Sequence, residues 1–162
     1  KYLEKHTAPA AVLLASNPHY GLWPTFFRMS MQRPMTLVKV TAQLRLRPVV
    51  ETPEDARLSL FSEDMPKKQL LKYYKKLDDE SFRMFIDLLG LNLAHPKKVK
   101  NPLLILGAEK DMAITPDQVH ATAKAYGTQA EIFPNMAHDM MMEKDWKAVA
   151  ERILNWLKER GI

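Results

Sequence analysis

An aspartate and a histidine, Asp111 and His138, each stand just past a short apolar run, NPLLILGAEKD for the first and AEIFPN for the second. A carboxylate held against one nitrogen of an imidazole fixes the tautomer and stabilises the imidazolium, which frees the other nitrogen to take a proton from a nucleophile. The two residues lie 27 positions apart. That separation is enough for one helix and one strand to return the chain to the edge it left, so neighbouring parallel strands would deliver both groups to one crevice. On spacing alone a blander reading stays open, because a single loop histidine is more often an ordinary polar residue than a base.

The flanking segments supply the elements that such a pair needs. The run APAAVLLAS (8 to 16), introduced by Pro9 and closed by SNPHYG, reads as a strand buried on both faces, and NPLLILGAEKD repeats the pattern. AEIFPN is a third, weaker strand. Between the second and third, Thr115 is placed to cap a helix, Pro116 suits its first turn, Gln118 completes a capping box and Gly127 ends it. The terminal DWKAVAERILNWLKERG puts Trp146, Val149, Ile153 and Trp156 on one stripe, a core-facing helix with both tryptophans as anchors. The alternation of strand and helix predicts an α/β fold with parallel strands and flanking helices.

From about residue 22 to 96 the pattern changes to amphipathic segments rich in Met, Phe, Leu and Lys, which read as an inserted helical region. Thr52 and Pro53 open one helix through ARLSLFS, and Pro66 opens another through KKQLLKYYKKL with Leu71 and Tyr74 inward. SFRMFIDLLG forms a last one. KYLEKH at the start reads as the closing turns of a helix.

Composition narrows the function classes. With 46% hydrophobic and 27% charged residues the 162-residue chain falls among globular domains, and no apolar run reaches the roughly 20 residues that span a bilayer. The net charge of +5 is spread along helix-like segments and not gathered into an arm interleaved with aromatics, which argues against nucleic acid as partner. Absence of cysteine excludes disulfides and thiolate metal sites and fits a reducing, cytoplasmic compartment. His6, His19, His95 and His120 have no metal-ligand spacing with carboxylates, and the five glycines are isolated, so neither a metal nor a phosphate loop is expected.

Taken in order, LLILGAEKD, the helix opened by TPDQ, EIFPNMAHDMMMEKDW and the amphipathic last helix resemble the C-terminal half of an α/β-hydrolase. The likeness is closest to the esterase and lysophospholipase-like branch with a helical cap. It covers most of the chain and implies a partial α/β-hydrolase fold: a core from residues 1 to 21 and 97 to 162, with 22 to 96 as the cap or lid. By this resemblance Asp111 is the triad acid and His138 the general base, acting on a small carboxylic ester without a cofactor. Of the neighbouring acids, Glu109 lies still within the strand exit, and Asp139 would point its side chain elsewhere.

The resemblance also implies an acyl or aromatic pocket at the cap entrance, where Trp23 and Phe26 stand beside Phe27 and Met29. Met112, next to the acid, and Met140, after the histidine, complete the substrate-contact candidates. A stripe at helical spacing is more often core than pocket, and methionines more often fill gaps.

The family's nucleophile sits in G-x-S-x-G, and none of Ser16, Ser30, Ser59, Ser62 and Ser81 is flanked by glycines in that way. The elbow would fall just before a helix like KYLEKH, so the serine and the oxyanion donors are expected outside this chain, on a complementary N-terminal segment or a second chain. The alternative, from a different class, is a catalytically silent module that docks a partner through an exposed sheet edge.

Overall fold

The computed structural model describes residues 1 to 162 and has a mixed α/β architecture. Three parallel strands, β1 (Ala11–Leu14), β2 (Leu103–Ala108) and β3 (Ala130–Phe133), form one sheet in the order β1-β2-β3. Ala11 pairs with Leu103, and Ile105 with Ala130. Seven α-helices accompany them: α1 (Trp23–Gln32), α2 (Pro34–Gln43), α3 (Pro53–Leu60), α4 (Lys67–Tyr74), α5 (Phe82–Ile86), α6 (Pro116–Ala125) and α7 (Trp146–Lys158).

The period-2 alternation of β2 divides the core. Leu104, Leu106 and Ala108 pack on one face with Val149 and Trp156 of α7, while Ile105 packs on the other with Val119 and Ala123 of α6. Five of the six β2 residues are buried because helices cover both faces. Every residue of β1, by contrast, is only half-buried, a departure from the doubly buried strand expected from its composition. It has a strand neighbour on one side only.

The region between β1 and β2 is built of helices and turns, and it carries a core of its own in Val50, Ala56, Phe61, Met65 and Leu70. Helix α3 starts as its sequence dictates, with Thr52 and Asp55 exchanging the two bonds of a capping box. In α4 the anchor is Leu70, 2% exposed, and not Leu71, which is 37% exposed. Tyr74 packs against this core as expected, together with Tyr73 and Leu77.

Two further expectations are corrected. KYLEKH makes a single 3-10 turn, Tyr2–Glu4, and no longer helix. On α7 the stripe holds for Val149 and Trp156, but Trp146, the helix's first residue, is 46% exposed. No helix is long and apolar enough to cross a membrane.

Candidate active site

Beyond the last paired residues of the sheet, the loops after β2 and β3 remain joined. The Glu109 N–H donates to Phe133 O at 2.9 Å and the Lys110 N–H to Met136 O at 2.8 Å. The Glu109 carboxylate accepts the Asn135 N–H at 2.8 Å, and Asn135 has a left-handed φ of 58°. Asparagine tolerates that conformation better than most residues, so Glu109 and Asn135 together fix the turn that leads to the histidine.

Asp111 emerges from this stitched edge with its side chain fully buried. Its Oδ1 accepts the N–H groups of Ala113 and Ile114 at 2.7 and 2.8 Å, which orients the carboxylate and opens the turn into α6. Gln118 then accepts the Thr115 N–H at 3.0 Å, the reciprocal half of the expected capping box. Asp111 Oδ2 lies 2.8 Å from Nδ1 of His138. With Oδ1 committed to backbone donors, Oδ2 is the oxygen left to receive the imidazole, so the arrangement selects the tautomer with its proton on Nδ1.

The His138 side chain is 26% exposed and lines a cleft of about 710 Å³ between the sheet edge and the helical region. Nε2 has no hydrogen-bond partner in the chain. Burial disfavours the charged ring, but the Asp111 hydrogen bond and charge, with the charge of Asp139, outweigh it and raise the pKa above the usual 6.5. Asp139 is pushed up first by its own burial, against the lowering influence of His138. Its backbone N–H donates to Leu60 O at 2.9 Å, which ties the histidine loop to the end of α3.

A second tie reinforces the first. Glu143, 3% exposed, accepts the Ser62 N–H at 2.7 Å and the Ser62 hydroxyl on its other oxygen. Neither serine on the cleft wall is bonded to the imidazole: Ser62 donates to carboxylates, and Ser59 donates its hydroxyl to Val49 O at 3.0 Å.

The four expected substrate contacts separate in space. Met112 lies on the cleft wall and is 47% exposed. Trp23 and Phe26 do not, because α1 presents Thr25, Arg28, Met29 and Gln32 to the cleft, positions spaced at helical periodicity on a different face. Their rings pack edge-on against one another at 5.6 Å, and Phe26 meets Phe85 at 6.5 Å. Met140 is fully buried in the core formed with Leu106 and Trp156, out of reach of the cleft.

Residues that sequence reasoning passed over line the cleft instead. Arg28 donates to Met112 O at 2.9 Å and to Ala113 O at 3.0 Å, and so brackets the loop that carries Asp111. Arg57 and Lys110 also face the cleft. The available signal was the helical face itself: Met29, expected at the pocket, does line the cleft and shares its face with Thr25 and Arg28, whereas Trp23 and Phe26 lie on another.

No group of three or more His, Asp or Glu side chains is placed to hold a metal ion. Fold and site define a mixed α/β protein with a buried acid paired to a partly exposed imidazole at the carboxyl edge of a parallel sheet. Comparison of the sequence with protein-family models and with curated proteins finds no match.

Proposed function

We propose that this chain is the acid/base and cap portion of a serine α/β-hydrolase that cleaves carboxylic esters. Residues 1 to 21 and 97 to 162 would form part of the hydrolase core and 22 to 96 the cap. The observation that carries the reading is the Asp111–His138 pair, 2.8 Å apart at the ends of adjacent parallel strands with Nε2 free beside a large cleft. A histidine whose Nδ1 is held by a buried carboxylate and whose other nitrogen is unengaged is equipped for general-base work.

In the reaction, Nε2 of His138 takes the hydroxyl proton as a serine oxygen attacks the ester carbonyl, and Asp111 steadies the imidazolium so formed. His138 then hands that proton to the departing alcohol, and a water molecule activated in the same way releases the acid. The committed hydroxyls of Ser59 and Ser62 favour a nucleophile outside these 162 residues, on a complementary N-terminal segment or a second chain. The cap would exclude water and select the acyl or alcohol group.

A second reading has an observation in its favour. β1 and β3 each have one unpaired edge, which suits a silent module that adds strands from a partner. A fluorophosphonate probe separates the two. Under the hydrolase reading, purified protein shows one adduct by intact mass on a polypeptide continuous with or bound to this chain, and His138→Ala slows labelling by roughly a hundredfold or more. Absence of any adduct together with no ester hydrolysis would remove the hydrolase reading and leave the docking module.

A further inference from the structure

The cleft beside His138 is lined by both apolar and cationic side chains. Met29, Val49, Leu58 and Phe61 supply the apolar surface. Arg28, Arg33, Arg57 and Lys110 line the same space, against a single acid, Glu63. Arg33 is neutralised by Asp55. The other three cations have no carboxylate within ion-pair distance.

The two unpaired guanidinium groups are nonetheless held in place. Arg57 anchors through one nitrogen, Nη1, which donates to the carbonyl oxygens of Ser62, Glu63 and Met65 at 3.2, 2.7 and 2.9 Å. Its Nε and Nη2 make no hydrogen bond in the chain. Arg28 is fixed through Nε and Nη2 on the carbonyls after Asp111, leaving Nη1 without a partner. Carbonyls orient a guanidinium without cancelling its charge. A cation restrained in this way loses little further freedom when a planar oxyanion arrives, and guanidinium suits carboxylate and phosphate alike.

We propose that the cleft takes an amphiphile bearing an oxyanion, a carboxylate or a phosphate. The anion sits on the open side of Arg57, in the field of Lys110 and Arg28, and the hydrocarbon portion runs along Met29, Leu58 and Phe61. This names the substrate class of the site described above, an ester with an anionic group at one end, and rests on the hydrolase reading. Arg57 and Lys110 are then specificity-determining residues that select for charge, while His138 and Asp111 serve the bond to be broken.

Binding without turnover tests it on the full chain. Calorimetric titration with hexyl phosphate, hexanoate and 1-hexanol compares two anions with a neutral amphiphile of the same chain length. At least one anion is expected to bind about tenfold or more tightly than hexanol, and the tighter of the two identifies the oxyanion. Raising the salt concentration should erode that preference. Arg57→Gln should remove most of it, and Lys110→Gln, at an exposed position that does not threaten folding, should reduce it by about threefold. Equal binding of hexanol, or a preference that survives both substitutions, overturns the inference. Because no chemistry is involved, anion binding without a fluorophosphonate adduct would retire the hydrolase reading alone, and an adduct without anion preference would retire only the inference about charge.

Discussion

His138 Nδ1 and Asp111 Oδ2 meet at 2.8 Å, and the same carboxylate is held from behind by the Ala113 and Ile114 amides. The pair is therefore oriented by the backbone of one loop and presented by another. Its electrostatics give a direct expectation. The His138 pKa is raised in the folded chain, so its contribution to stability is fully present below the unfolded value near 6.5 and is lost as pH rises through the folded value. Proton NMR of the imidazole should show a midpoint above 6.5, and Asp111→Asn should bring it down. A midpoint unaffected by Asp111→Asn would mean that the carboxylate does not control the ring.

Asp139 carries a cost that the site tolerates. Its carboxylate is raised in pKa mainly by burial, against the lowering charge of His138 and with Asp111 and Glu143 adding to the rise, so keeping it ionised costs the folded chain stability. Asp139→Asn is expected to raise the thermal midpoint at pH 7, with the gain shrinking as pH falls through the raised folded value toward the unfolded value near 3.8. A thermal melt at pH 4 and pH 7 decides it: an equal shift at both would rule out the charge as the cause.

Glu143 joins the histidine loop to the end of α3 through the Ser62 amide and hydroxyl. Glu143→Ala leaves a buried N–H and a hydroxyl without that acceptor and is expected to cost about 2 to 3 kcal/mol in urea denaturation. A cost below about 0.5 kcal/mol would show that water replaces the carboxylate with ease.

Gly107 of β2 leaves no room for a side chain against Val119 of α6. A Cβ there would lie 2.7 Å from Val119 Cγ2 and 3.0 Å from Ile132 Cδ1. Gly107→Ala should destabilise the fold by about 1 to 3 kcal/mol through overpacking. The companion change Val119→Ala, made in the same chain, should recover part of the loss. Failure of that rescue would point away from the Val119 contact.

On the cleft side, Arg28 donates to two carbonyls of the Asp111 loop. Arg28→Met retains much of the apolar stem but removes these bonds, and it is expected to lower the His138 midpoint by loosening the carboxylate. Arg28→Lys should restore the charge without the paired geometry. If both variants titrate like the parent, the loop is held without Arg28.

Several features were legible in the sequence because they are local. The capping pairs Thr52–Asp55 and Thr115–Gln118 depend on residues three apart, and the apolar runs of the strands depend on short-range composition. The relation of Asp111 to His138 also followed from linear order, since one strand–helix–strand unit returns the chain to the same edge. Which face each helix turns inward was another matter. A shift of one residue moves a side chain about a third of a helical turn, enough to exchange Leu71 for Leu70 and to carry Trp23 and Phe26 away from the cleft that Thr25 and Arg28 line.

The sequence by itself determined the parallel α/β pattern, the helical region between β1 and β2, and the acid and imidazole at the sheet edge. Tertiary structure alone decided that Met140 is core, that Glu143 braces the histidine loop against Ser62, and that three cations without carboxylate partners line the same cleft as His138. The physical reason is sequence separation. Caps, turns and periodicity are set by neighbours along the chain, whereas the partner of Glu143 lies 81 residues away and the carbonyl that Arg28 holds lies 84 away, contacts that exist only once both segments have packed.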